Sequence, residues 1–188
     1  MKRFAAFIAL ALPMNGQAHA QETAEAAWER IYAVTSHPRC ANCHVGASGR
    51  PAWDDLGYGA TRLHGMNIVA GDSRIGAETV PCRTCHIGAA GPNDVPHAAP
   101  QLDDAWRLPP VELEWYGKSS AQICAQLRDP ERNDGFSPAE LVEHVRSSAF
   151  VAYGFAPGGG RNPAPGSVET LARDLEIWAA GGMPCAAE

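Results

Sequence analysis

Apolar residues recur at helical spacing in four stretches of the chain, and these stretches predict its helices. The first runs from about Glu22 to Ser36, with Trp28, Ile31 and Tyr32 on one stripe. It must end before Pro38, because the residue that precedes a proline avoids the α region. We therefore expect an amphipathic helix directly ahead of residue 37.

The second stretch, "SSAQICAQLRD", places Ile123 and Leu127 on one face and is stopped by Pro130. The third, "SPAELVEHVRSSAF", has the clearest helix start in the chain. Ser137 is the predicted N-cap, a proline follows at the first helical position, and Glu140 completes a capping box.

The last predicted helix spans about Val168 to Ala180 and lies between a serine N-cap, Ser167, and Gly181. Three apolar residues at helical spacing should face inward from it: Leu171, Leu175 and Trp178.

Glycine and proline dominate the segments between these helices. The chain holds 19 Gly and 15 Pro, concentrated in "HIGAAGPNDVPHAAPQLDDAWRLPP" and "YGFAPGGGRNPAPGS", and both segments are predicted to be irregular. The pattern therefore predicts a mainly α protein of short helices and long irregular loops.

The first 20 residues have the organisation of a secretory signal peptide. Lys2 and Arg3 precede an apolar run, Phe4 to Leu12, and Ala18-His19-Ala20 forms a cleavage pattern. The run is too short to span a bilayer, and no later stretch reaches the roughly 20 apolar residues that a span needs. We expect a periplasmic mature chain, 21–188, that forms one domain without a membrane span.

Charge argues against nucleic acid as a partner. The formal net charge is −6, and removal of the two basic residues of the leader lowers it to −8. A protein that binds the phosphate backbone needs a positive surface.

A short cysteine and histidine motif occurs twice. "CANCHVGASG" at residues 40–49 returns as "CRTCHIGAAG" at residues 82–91, with six of ten positions identical. Each copy contains C-x-x-C-H, the attachment signature of haem c. The two thiols of such a motif can form thioethers to the vinyl groups of one porphyrin, and the histidine binds the iron.

The motif residues are therefore predicted to hold two haem c groups. The cysteines are Cys40, Cys43, Cys82 and Cys85, and the proximal ligands are His44 and His86. A redox-active cysteine pair or half of a zinc site also uses C-x-x-C, but neither explains the adjacent histidine or its repetition. Haem segment one would cover about 37–80, and haem segment two with the helical C-terminal part about 81–188.

The two remaining cysteines, Cys124 and Cys185, lie far from either motif and have no neighbouring histidine. In an oxidising compartment a disulfide between them is the simple interpretation. It would close a loop of about 60 residues and constrain the unfolded chain by roughly 4 kcal/mol.

Several side chains compete for the opposite, distal face of each iron. His144 follows Leu141 by three residues on the predicted capped helix and should point inward. His64 lies in the connection between the two motifs, with Met66 two residues later as an alternative ligand. His37 stands three residues before the first cysteine and is a further alternative. The weaker candidates are His97 and Met183.

Eight stretches, in order, resemble the small dihaem cytochromes that are described as a subunit of isoquinoline 1-oxidoreductase. They are "HPRCANCH", "LHGMNIVAG", "PCRTCH", "AWRLPP", "ICAQLRDPERNDG", "LVEHV", "YGFAPGGGRNPAPG" and "MPC". The resemblance covers most of the mature chain, from about Tyr32 to Cys185. It favours His64 over Met66 and matches His37, His144 and both outlying cysteines, whereas His97 stands where the pattern usually has Gly. Arg107 in place of a common His, and "YGF" in place of Trp-Gly-Trp, depart from it.

We therefore expect a c-type cytochrome fold packed around two covalent haems that transfers single electrons. The resemblance implies a periplasmic dehydrogenase or molybdenum hydroxylase as electron donor and a respiratory acceptor. Four arginines, Arg39, Arg83, Arg132 and Arg161, are candidates to pair with haem propionates. The alternatives are a small dihaem peroxidase-like enzyme with one five-coordinate haem, and a haem-based ligand-binding subunit.

Overall fold

The computed structural model describes residues 15–53, 63–87, 93, 99–102 and 106–185, with the backbone alone for 15–23. Within these ranges the protein is helical and has no β-strand; a single isolated bridge pairs Ala52 with Leu63. The prediction of a mainly α protein is confirmed for this part of the chain. The described residues also include no helix that is both long and apolar enough to cross a bilayer.

Six α-helices are described. They are α1 (Asn15–Thr35), α2 (Pro38–Ala41), α3 (Ser120–Arg128), α4 (Pro138–Ser147), α5 (Ala149–Phe155) and α6 (Val168–Ala180). Three short 3₁₀ turns cover Gly46–Ser48, Gly65–Asn67 and Cys82–Thr84. The long connection from residue 42 to residue 118 therefore contains both motif histidines, His44 and His86. Its described residues form no α-helix.

Serine residues start three of the helices through capping boxes. Ser119, Ser137 and Ser167 each accept a hydrogen bond from the backbone N–H three residues later, and the side chain at that later position accepts one from the serine's own N–H. These bonds satisfy amide donors that have no partner inside the helix. The two predicted caps, Ser137 and Ser167, are therefore present.

Two helix boundaries differ from those expected. Helix α1 begins at Asn15 and runs across the expected cleavage site after Ala20; residues 1–14 of the predicted leader lie outside the described residues. Segment 153–155 is helical although it was expected to be irregular. Its helix α5 exists because Ser148 closes α4 and accepts a hydrogen bond from the N–H of Val151, which starts a new helix at once.

The hydrophobic core lies where α1, α3, α4 and α6 meet. Trp28 and Trp178 are each 1% exposed, and their ring centroids are 5.2 Å apart. The Trp28 indole N–H donates to the Ser120 hydroxyl at 2.8 Å, which satisfies a buried donor. At the edge of the same interface, Arg30 of α1 forms an ion pair with Asp174 of α6 at 2.7 Å.

A disulfide joins Cys124 of α3 to Cys185, with Cα atoms 5.7 Å apart. Beside it, the Trp178 indole N–H donates to the Pro184 carbonyl at 2.8 Å. The tail after α6 is therefore tied to the core at two adjacent points. Such a disulfide is compatible with export to an oxidising compartment.

The long connection is held by polar contacts around a second, small apolar cluster of Val45, Ala70 and Leu108. Arg74, only 9% exposed, donates from Nη1 to the Gly46 carbonyl at 3.0 Å and from Nε to the Pro109 carbonyl at 2.8 Å. A buried guanidinium thus fixes the loop after the first motif against the loop that follows the second.

Candidate functional site

Both copies of the repeated motif open into one cavity of about 1290 Å³, which we call the motif cavity. This volume exceeds the roughly 300–1,000 Å³ of a site for one drug-sized ligand. Its walls include all four motif cysteines, both motif histidines and three of the distal candidates: Cys40, Cys43, His44, Cys82, Cys85, His86, His64, Met66 and His144. Chain segments that are distant in sequence therefore share one space.

The two motifs form the same backbone turn. In the first, the amides of Cys43 and His44 both donate to the Cys40 carbonyl, at 3.1 and 3.2 Å. In the second, the amides of Cys85 and His86 both donate to the carbonyl of Cys82, at 3.2 and 3.1 Å. The repeat in the sequence is thus also a repeat in structure.

A glycine explains part of the repeat. Gly46 follows the first motif by two residues and has a φ of +59°, and a Cβ there would meet the Glu114 side chain at 2.7 Å. The left-handed backbone and the close approach both favour glycine. The matching Gly88 of the second copy lies outside the described residues.

Each motif histidine donates a hydrogen bond through its Nδ1–H to a backbone carbonyl. His44 donates to Leu113 at 3.1 Å, and His86 donates to Pro100 at 2.8 Å. A carbonyl oxygen can only accept, so Nδ1 carries the proton and the Nε2 lone pair is available. Histidines that bind metals through Nε2 are commonly held in this way.

A tryptophan ring stacks face to face on each motif histidine. The ring centroids of His44 and Trp115 are 3.5 Å apart with the planes 3° from parallel. Those of His86 and Trp106 are 3.9 Å apart at 13°. Neither tryptophan was predicted from the sequence to lie at the site. Both tryptophans lie in irregular segments, where no helical periodicity explains a large apolar side chain. That position was the only available signal in the sequence.

Burial sets the protonation of the first motif. It lowers the pKa of His44 to about 3, with the Leu113 carbonyl opposing this and the charge of a protonated His144 adding to it. Burial raises the pKa of Cys40 to about 12 and that of Cys43 to about 11. A redox-active pair needs a lowered thiol pKa, so these neutral thiols do not suit that alternative.

The two motifs lie close to one another. A thiolate at Cys82 contributes to the raised pKa of Cys43, after burial and the opposing charge of Arg39. The pKa of Cys82 is itself raised by burial. Electrostatic coupling between side chains of different motifs requires short separations.

His64 faces the second motif. Its ring centroid lies 6.4 Å from that of His86, with an interplanar angle of 55°. Its Nδ1–H donates to the Gly65 carbonyl at 3.1 Å, which leaves Nε2 available. The edge of the Trp53 ring packs on it at 5.3 Å. Met66 also lines the cavity but is 80% exposed.

His144 interacts electrostatically with the first motif. It lies on α4 and lines the motif cavity, and its charge acts on His44. Its side chain is exposed, in contrast to the inward, buried position expected from its helical stripe; Val142 and Val145 fill the core instead. The stripe of α4 is wider than the surface that α4 packs against the core. His144 lies at the edge of this stripe and therefore lines the cavity. Burial still lowers the pKa of His144, opposed by Asp134.

His37 has a different role in the structure. It is the N-cap of α2, and its Nδ1 accepts a hydrogen bond from the Arg39 amide at 3.2 Å. It is not among the described residues that line the motif cavity. His97 lies outside the described residues. Met183 packs against the hydrophobic core, beside the disulfide.

One side of the cavity wall carries cationic side chains. Arg39 donates to the Asn162 carbonyl at 2.7 Å, and Arg161 to the Asn93 carbonyl at 2.9 Å. The charges of both act on Tyr153, whose hydroxyl is buried and whose pKa is raised, above all by burial. These three residues line the cavity, whereas Arg83 and Arg132 do not.

No group of three or more His, Cys, Asp or Glu side chains arranged to hold a metal ion occurs among the described residues. A haem iron takes only one or two ligands from the protein. The relevant arrangement is therefore a pair of facing histidines. His64 and His86 form one such pair, and His44 and His144 line the same cavity.

Comparison of the chain with protein-family models, curated proteins and solved structures gave no match.

Proposed function

We propose that the protein is a dihaem c-type cytochrome that transfers single electrons. Cys40, Cys43 and His44 would hold one haem, and the three equivalent residues of the second motif would hold the other. The observation that carries the proposal is the paired geometry: two identical C-x-x-C-H turns open into one cavity, and each histidine presents Nε2 because Nδ1–H is bound to a carbonyl.

His44 and His144 would bind the iron of one haem, and His86 and His64 would bind the iron of the other. With metal–nitrogen bonds of about 2 Å, the ring centroids of two imidazoles on opposite sides of one metal ion are about 6 Å apart. The 6.4 Å between His64 and His86 agrees with this spacing. His144 is assigned to the other site because it lines the same cavity and acts electrostatically on His44.

When bound, such haems supply one-electron iron redox chemistry. The side chains of the protein would do the rest. Four histidines would bind the two irons and exclude water and small ligands from them. Tryptophans and aliphatic residues would lower the local polarity, and Arg39 and Arg161 with the Tyr153 hydroxyl would bind propionate carboxylates.

The leader, the disulfide and the resemblance support a place in the periplasm. There the protein would accept electrons from a dehydrogenase or molybdenum hydroxylase and pass them to a respiratory acceptor. Because the arrangement offers a histidine pair for each iron, electron transfer is favoured over a reaction at an open iron.

Haem content tests the proposal. The mature protein should stain for haem after denaturing electrophoresis, and its intact mass should include two haem groups. Replacement of Cys82 and Cys85 by Ala should remove one haem. The matched control replaces Cys124 and Cys185 by Ser, which removes two cysteines outside the motifs and should keep both haems. A wild-type mass with no haem, or loss of haem from the control alone, would overturn the proposal.

A further inference from the structure

The tryptophan stacks on the two motif histidines have a geometry that ordinary core packing does not require. Aromatic pairs in protein cores take a range of offset and edge-to-face arrangements with centroids about 4.5–7 Å apart. Here the separations are 3.5 and 3.9 Å with angles of 3° and 13°. The same arrangement occurs at both motifs, although Trp115 and Trp106 occupy different places relative to the motifs in the sequence.

Each stack complements the carbonyl hydrogen bond of the same histidine. The bond from Nδ1–H of His44 to the Leu113 carbonyl fixes one point of the ring but permits rotation about the bond. A flat indole against the ring face blocks that rotation. Together the two contacts define both the position and the plane of the imidazole.

The surroundings hold both indoles in place. Trp115 packs against the hydrophobic core, and its backbone N–H donates to the His44 carbonyl at 2.8 Å, which ties the stack to the motif itself. Trp106 is supported by Phe150, with centroids 5.2 Å apart, and by the edge of Tyr153 at 6.5 Å. Neither indole can therefore follow a rotating imidazole without disturbing the packing behind it.

We propose that Trp115 and Trp106 are positioning residues that fix the rotation of the His44 and His86 rings about the axis to their irons. This inference rests on the proposed function and goes beyond it. Contacts to the outer side of an axial ligand tune the metal, in both its electronic structure and its reduction potential. The two stacks would thus help to set the spectra and potentials of the two sites separately.

Ferric EPR spectra and midpoint potentials of single variants test the inference. Trp115→Leu should shift or broaden one of the two low-spin signals and change the potential of that haem alone. Trp106→Leu should do the same to the other haem. Trp115→Phe and Trp106→Phe retain a flat ring and should restore most of the wild-type signal, which a loss of stability alone does not predict.

Trp178→Phe is the matched control, because Trp178 is buried in the core and is not among the residues that line the motif cavity. It should lower Tm without moving either signal. If both leucine variants keep both signals and potentials while Tm falls as in the control, the tryptophans are only structural and the inference is wrong.

Two further measurements keep the test decisive. Should Trp115→Leu fail to fold, Trp115→Met removes the flat ring with less loss of volume. In the ferrous, diamagnetic wild type, nuclear Overhauser contacts between the Trp115 indole and the His44 ring are expected, and their absence would refute the stack. A wild type without two low-spin haems would instead defeat the proposed function, before any variant is made.

Discussion

Removal of one distal histidine should open one iron and leave the other closed. In the proposed function His144 serves the first motif, where its charge acts on His44, and His64 serves the second motif, where its ring faces that of His86. His144→Ala and His64→Ala should therefore each convert half of the ferric haem from low to high spin. Each variant should bind one carbon monoxide per protein in the ferrous state, and the double variant should bind two.

A single-haem background identifies the affected iron. When Cys82 and Cys85 are replaced by Ala, only the first motif carries haem. In that protein, His144→Ala should convert all of the haem to high spin, whereas His64→Ala should leave it low-spin. Electronic spectra and EPR of the ferric protein measure the fraction directly.

His37→Ala is the control, because the Nδ1 atom of His37 caps α2 by accepting from the Arg39 amide. Loss of an N-cap costs about 1 kcal/mol, so a small decrease in stability is expected without a change in spin state. His144 would not be the distal ligand of the first motif if His37→Ala produced the high-spin iron, or if His144→Ala had no effect in the single-haem background.

Two further predictions concern stability. Cys185→Ser removes the disulfide to Cys124, which joins residues 61 positions apart. The loss should lower the free energy of unfolding by about 4 kcal/mol in the loop-entropy model and Tm by about 10 °C in a thermal scan. An unchanged Tm would contradict this expectation. In the haem-free protein, acidification should also lower stability. Burial lowers the pKa of His44 to about 3 in the folded state against an ordinary 6.5, so between pH 6.5 and pH 3 only the unfolded chain takes up this proton. The free energy of unfolding should then fall by about 1.4 kcal/mol between pH 7.5 and 5.5 from His44 alone, with no change from this group above pH 7.5; urea titrations that give a flat profile over that range would refute it.

Local sequence signals predicted much of the helical framework. Ser137 and Ser167 are N-caps as expected, and Trp28, Leu175 and Trp178 lie in the core. Capping and periodicity are reliable here because each depends on residues within one or two turns of the chain. The boundary at Ser148 differs although its cause is also local, because the Ser148 hydroxyl accepts from the N–H of Val151.

The candidate site was less predictable away from its motifs. A stripe on α4 indicated an inward His144, but which residues of a stripe meet the core and which meet a cavity depends on the neighbouring helices. Both stacked tryptophans lie in irregular loops, where no periodicity reports the direction of a side chain. Arg74, which ties those loops together from a buried position, gave no local signal either.

The sequence by itself determined the chemistry that this protein can offer: two C-x-x-C-H turns, because their thiols and imidazole are adjacent in the chain and need only a local turn to converge. It also determined the helix starts, whose capping bonds span three residues. Only the tertiary structure decided that the His64 ring faces His86, that both motifs share one cavity, and that a tryptophan lies on each motif histidine. These relations join residues dozens of positions apart, and the packing of the whole chain selects them rather than any local preference.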